Sequence, residues 1–182
     1  MGRYLEQRMR DDVRLVLFTQ EVECAFCKET RQIMELLSSL SPKVKPEVYD
    51  FVKDAWRAKE FQVDKIPAII PIGKRDFGIR FYGMPSGYEF MSLVDAIIDA
   101  STGTTDLTEK TKQIVRSINQ PVHIQVFVTP TCPYCPRAVR LAHQLAVESS
   151  LVRADMVESV EFPQLAQRYS VMAVPKIVMN EK

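Results

Sequence analysis

Long apolar runs are missing from this 182-residue chain, and nothing in it approaches the roughly 18 consecutive apolar residues of a membrane-spanning helix. The first twelve residues carry Arg3, Arg8, Arg10, Asp11 and Asp12 and lack the apolar core of a secretion signal. A cytoplasmic protein with no membrane partner is therefore expected. An excess of charge is also missing. Lys plus Arg number 24 against 23 for Asp plus Glu, for a formal charge of +1, and no basic stripe is interleaved with aromatics. That excludes the electrostatic footprint of a nucleic-acid partner. Histidine is scarce: His123 falls on an expected strand and His143 well along an expected helix, so both read as structural. The only tryptophan, Trp56, reads as packing.

Isolated cysteines are the last absence. All four thiols lie in two Cys-x-x-Cys motifs, Cys24/Cys27 and Cys132/Cys135. A secreted disulfide scaffold scatters its cysteines, whereas a cytosolic chain that keeps all of them in such pairs uses them for redox or metal chemistry. The rest of the composition, 46% hydrophobic and 26% charged, is that of a globular protein.

In chain order, residues 3–11 suit a short helix and Val13 to Phe18 a largely buried strand that runs into the loop ending at Cys24. Beyond Cys27, Ile33, Leu36, Leu37 and Leu40 fall on one helical face that Pro42 terminates. Val44 to Phe51 reads as a strand that Pro46 directs to an edge or an end. Asp54 can cap a helix through Phe61, and Ala68 to Ile72 and Ile79 to Tyr82 form a hairpin. A helix over Tyr88 to Ala100 precedes the polar run Ser101 to Asp106, which reads as a linker, and Thr108 is a candidate cap for the next helix.

Adding 108 to each number brings the pattern back. Cys24, Cys27, Ala58, Phe61, Val63, Ile66, Pro67 and Ile69 map to Cys132, Cys135, Ala166, Tyr169, Val171, Val174, Pro175 and Ile177. The chain is a duplication, with an N-terminal unit over 1–103 and a C-terminal unit over 104–182. The first unit continues 29 residues past Lys74, whereas the sequence stops at Lys182, the counterpart of Lys74. The second unit is thus expected to be C-terminally incomplete. Its last strand is expected to leave an apolar edge, and a natural chain roughly 30 residues longer is expected on the repeat argument.

A thiol pair at a strand-to-helix junction sits at the positive end of a helix dipole, which lowers a thiol pKa from about 8.5 into the range of roughly 3.5 to 7.5. Cys24 and Cys132 are the expected attacking thiols. Cys27 and Cys135 then resolve the mixed disulfide. Glu21 and Glu23 disfavour a thiolate at Cys24, with Lys28 and Arg31 opposing them, while Thr129, Pro130 and Thr131 precede Cys132 and Arg137 follows it. Cys132 is expected to be the more acidic thiol. Asp50 and Glu158, matched in the repeat, read as solvated strand ends, with a proton-accepting role beneath the thiols as the other reading.

Cys132-Pro133-Tyr134-Cys135, preceded by Val126-Phe127-Val128-Thr129, resembles a glutaredoxin active site. The tandem arrangement, together with Phe77 to Gly87, resembles the protein disulfide oxidoreductases of thermophilic archaea and bacteria. The resemblance covers nearly all of the chain. It departs at the shortened second unit and at Cys24-Ala25-Phe26-Cys27, whose apolar dipeptide matches no familiar redox poise. It implies an α/β fold of two tandem thioredoxin-like units, each with a central mixed sheet flanked by helices. Ile66-Pro67 and Val174-Pro175, each proline 43 residues after a first cysteine, would be cis-proline loops that offer backbone groups to substrate. Tyr134 reads either as lining the groove or as simply exposed. Also implied are reductase, oxidase or isomerase activity on protein disulfides and dithiols, no dissociable cofactor, and a thioredoxin-reductase-like flavoenzyme as electron donor. Two alternatives stay open: a structural zinc protein, although zinc pairs usually lie about 15 to 20 residues apart, and a redox-inactive scaffold that binds peptides.

Overall fold

The computed structural model describes residues 1–182. In chain order the elements are α1 (Gly2–Arg8), β1 (Val13–Thr19), α2 (Cys27–Leu40), β2 (Val44–Asp50), α3 (Ala55–Glu60), β3 (Ala68–Ile72) and β4 (Ile79–Tyr82). They continue with α4 (Glu89–Thr102), α5 (Glu109–Arg116), β5 (Val122–Val128), α6 (Cys135–Glu148), β6 (Val152–Glu158), α7 (Pro163–Arg168) and β7 (Lys176–Met179). The seven strands form one mixed sheet in the order β2-β1-β3-β4-β6-β5-β7. The expected α/β class holds, but the two repeats share a single sheet. β4 of the first half pairs in parallel with β6 of the second, Ile79 opposite Ala154 and Tyr82 opposite Val157.

Alternation along each strand divides the core between the two faces. Leu15, Leu17, Ile69, Ile79, Phe81, Val126 and Met156 face a layer of α1, α2, α4 and α6. Val16, Phe18, Ile70, Tyr82, Phe127, Val157 and Val178 face the shorter α3 and α7. β4 is buried along its whole length because it lies mid-sheet with side chains packed on both faces. Pro46 does lie on an edge strand, where β2 pairs only with β1.

Several sequence expectations shift. The buried row of α2 is Cys27, Thr30, Met34 and Leu37, and that of α6 runs through Cys135, Val139, Ala142 and Ala146. Each row begins at the second cysteine, and Leu36 and Leu141, about 100° around the helix from Leu37 and Ala142, are exposed. Trp56 is not packed but exposed, with the Arg57 guanidinium over its ring at 4.2 Å. Asp54 stands at the N-cap of α3, yet its carboxylate accepts instead from the Asp50 amide at 2.8 Å.

The expected linker is anchored at both ends. Ser101 and Thr102 complete α4, and Gly103 ends the helix in the left-handed conformation at φ 67°. Buried Ser101 donates to Asp11 O at 2.5 Å and accepts from the Arg10 and Asp11 amides. Thr105 donates to the buried Glu148 carboxylate of α6, which also pairs with Arg116 at 2.7 Å. Thr108 caps α5 as expected, accepting from the Thr111 amide.

Candidate active site

The topology places both thiol pairs on one rim of the sheet. β1, β2, β4, β5 and β6 run in the same direction, and β3 and β7 run against them. The loops after β1 and β5, which carry the cysteines, therefore emerge where the loops before β3 and β7, which carry Pro67 and Pro175, enter. The peptide bonds Ile66-Pro67 and Val174-Pro175 are both cis.

Each pair is closed as a disulfide, Cys24 to Cys27 and Cys132 to Cys135, with Cα atoms 5.5 Å apart in both. The second cysteine is the first residue of a 14-residue helix in each half. The first cysteine thereby lies against the amides of the opening turn, and Cys135 N donates to Cys132 Sγ at 3.1 Å. Such a donor stabilises a thiolate once the pair is reduced. Cys132 Sγ also lies 3.7 Å from Val174 O, which brings the thiol pair and the cis-proline loop together. Cys27, Cys132 and Cys135 are buried, and Cys24 is half-buried. A cleft of about 520 Å³ opens beside Cys24, walled by Glu21, Lys28, Arg31, Asp50 and Lys53.

The two sites differ in cover. Pro67 is buried beneath the rest of its half, and its carbonyl accepts from Gly83 N at 2.9 Å. Pro175 is exposed, as is most of the edge strand β7. Ile66 and Val174 are half-buried, and Tyr134 is 77% exposed, standing clear of the body at the mouth of its site. His123 lies at the opposite end of β5 from Cys132 and bonds Asp155 at 2.6 Å. His143 is buried edge-on against Phe81, and burial lowers its pKa to about 4. The four sulfurs do not converge as a four-cysteine zinc site requires, since β1 and β5 stand four strand positions apart.

Three carboxyl groups at this rim have raised pKa values, and of these only Glu158 was singled out in the sequence, as a solvated strand end. Glu158, at the end of β6, is buried rather than solvated. One of its oxygens accepts from Glu161 N, the other has no partner, and burial raises its pKa. Glu161 is pushed up to about 7 by burial, with the Glu158 and Glu29 charges adding to the rise and the Met84 amide opposing it. Glu89 is 1% exposed with neither oxygen hydrogen-bonded, and burial raises it to about 7. It stands next to Tyr88, whose amide donates to Pro130 O just ahead of Cys132. Gly87 keeps that approach open: its φ is 59°, and a Cβ there would collide with Pro130 O. In sequence Glu89 looks like any acidic residue in a first helical turn, and nothing local signals that it turns inward. Asp50, the repeat counterpart of Glu158, instead accepts from the Val52 and Lys53 amides, and its pKa is lowered by those bonds.

These groups set a pH dependence. Glu89, Glu161 and, on the far part of α4, Asp99 hold protons in the folded state up to about pH 7, well above their ordinary values. The folded state thus binds more protons than the unfolded state between about pH 4 and 7, and stability must fall as pH rises through that window. His143 acts in the opposite sense as pH falls from 6.5 toward 4. Glu89→Gln should gain on the parent protein by on the order of 1 to 3 kcal/mol between pH 5 and pH 8. Urea unfolding at the two pH values measures this, and equal differences at both would contradict it.

A mixed sheet with a thiol pair and a facing cis-proline in each half defines a tandem thioredoxin-like protein. Residues 122–182 match the family described as the thioredoxin domain. A solved protein disulfide oxidoreductase from Aeropyrum pernix K1 is similar over 99% of this chain and 82% of that one, with 32% identity and a TM-score of 0.90. NADH dehydrogenase of Bacillus subtilis is 24% identical over 96% of this chain, and an alkyl hydroperoxide reductase component of Staphylococcus aureus is 25% identical over 84% of it. The chain spans only 32% and 28% of the lengths of those two proteins. It belongs to the protein disulfide oxidoreductase family.

Proposed function

We propose that the chain is a protein thiol-disulfide oxidoreductase that works through mixed disulfides at two sites. The observation that carries this reading is the repeated constellation of a closed Cys-x-x-Cys pair at a helix start with a cis-proline loop entering the same rim of the sheet, in contact at the second site. Cys24 and Cys132 attack a client disulfide, and Cys27 and Cys135 resolve the adduct and close the protein pair as the client leaves reduced. The reverse sequence oxidises a client. Ile66-Pro67 and Val174-Pro175 offer backbone to an extended client chain, and Tyr134 borders the second site. The units part near residue 103, so each carries one complete cysteine and proline set.

The cysteine pairs are themselves the redox group, and no dissociable cofactor is invoked. Clients are protein disulfides or dithiols, and the chain works in the cytoplasm. No helix is long and apolar enough to cross a membrane. Electrons come from a flavoenzyme reductase, a partner suggested by the likeness to a protein named for hydroperoxide reduction. Reduction of insulin by dithiothreitol tests the activity: the protein should accelerate it, and a mere peptide binder would not.

Within this reading Cys132 is the more acidic thiol. The Cys135 amide already points at its sulfur, whereas the cleft beside Cys24 balances Glu21 and Asp50 against Lys28, Arg31 and Lys53. Titration of thiolate absorbance in Cys24→Ser and Cys132→Ser variants should give the lower pKa at Cys132. A lower value at Cys24 would sink the assignment.

A further inference from the structure

The two thiol pairs open on one rim just beyond the ends of β1 and β5, strands that run in the same direction four positions apart in a single sheet. Four strand spacings amount to about 19 Å. A twist of about 20–25° per strand splays the ends, so the pairs stand on the order of 20–30 Å apart. The loops of this rim also expose large apolar side chains: Val22 and Phe26 around the first pair, Tyr134 and Met172 around the second, and Tyr88 and Val160 on the turns between. Exposed apolar residues gathered along one rim suit an extended, non-native polypeptide.

We propose that both pairs act on one client chain at the same time. The client is an unfolded polypeptide whose two cysteines are far enough apart in sequence to bridge the rim. This rests on the oxidoreductase reading and extends it to the substrate class. With the second pair reduced and the first oxidised, the Cys132 thiolate attacks one sulfur of a client disulfide and the other client sulfur leaves as a thiolate. That thiolate attacks Cys24, forming a second mixed disulfide and expelling Cys27 as a thiolate. Two disulfides are consumed and two are formed, so no outside oxidant or reductant is needed. The client, now held at both ends, can re-pair its remaining cysteines. At about 3.3–3.6 Å per extended residue, bridging requires a spacing of at least roughly six to nine residues.

The test uses the full chain with Cys27→Ser and Cys135→Ser, which leaves Cys24 and Cys132 as trapping thiols. Synthetic peptides carry two cysteines, each activated as a thionitrobenzoate disulfide, separated by either two or twelve residues. A peptide with one activated cysteine serves as control. The control should release thionitrobenzoate at both sites; if it reacts at neither, the oxidoreductase reading itself fails. With the long spacing, intact mass should show one peptide joined to one protein through two disulfides. Its second bond should form at a rate independent of peptide concentration, about a hundredfold faster than the control at micromolar peptide. The short spacing should give two peptides per protein. Equal proportions of two-peptide adducts from both spacings, with the control reactive, would overturn simultaneous engagement.

Discussion

A Cys24→Ser, Cys132→Ser double variant should reduce insulin no faster than dithiothreitol alone. Serine supplies a hydroxyl of almost the same shape in the same place, so the proposed peptide binding along the rim should survive while the nucleophile is lost. Thiol-disulfide exchange requires a thiolate that can form a bond to sulfur. The two single variants should differ. Cys132→Ser removes the thiol that has a backbone amide directed at it and the carbonyl of Val174, just ahead of the cis-proline, 3.7 Å away, so it should lose the larger share of turnover. Cys24→Ser should retain more than half. Serine at Cys27 and Cys135, the proposed resolving positions, should have a different signature, the accumulation of a trapped mixed disulfide. A double variant that kept appreciable turnover would mean that the first cysteines are not the attacking thiols.

Asp155→Ala should cost about 3 to 5 kcal/mol of stability, a large part of what holds such a chain folded. Asp155 is fully buried on β6, and its carboxylate accepts from Arg153 Nε at 3.0 Å and bonds His123 at 2.6 Å. Burial alone would raise its pKa, but the His123 bond and the Arg153 charge hold it below the usual carboxylate range. Arg153 reaches across the seam to the Tyr82 hydroxyl at 2.8 Å and to Gln62. Alanine leaves that guanidinium largely buried without its counter-charge, and uncompensated burial dominates the cost of breaking such a pair. Asp155→Asn keeps the acceptor and should cost less. Urea unfolding of both variants checks the order, and a loss below about 1 kcal/mol for alanine would show that the network contributes little across the seam.

What was legible in the sequence is what repeats or what depends on local spacing. The 108-residue register located both cysteine pairs and both cis-prolines, because each pair is backed by its own strand and helix, whose hydrophobic periods are written in neighbouring residues. Thr108 as a cap and Pro46 on an edge strand were equally local matters.

Contacts between the halves were not legible. Pairing of β4 with β6 joins residues about 75 positions apart that no period connects. Arg80 and Asp155 look like ordinary polar positions of half-exposed strands. They are buried where β4 and β6 pair across the boundary of the repeat. Glu89 was missed and Glu158 was read as solvated for the same reason: their desolvation comes from where the halves meet at the rim, not from their sequence neighbours.

The most direct measurement equilibrates the protein in thiol-disulfide buffers of graded potential, then counts free thiols at each pair by alkylation and mass spectrometry. Two reversible two-electron transitions are expected within the roughly −270 to −120 mV range of thioredoxin-like enzymes, with both pairs opening and closing as the buffer is varied. Pairs that stay closed below about −300 mV would behave as structural disulfides and would contradict a redox role for the two sites.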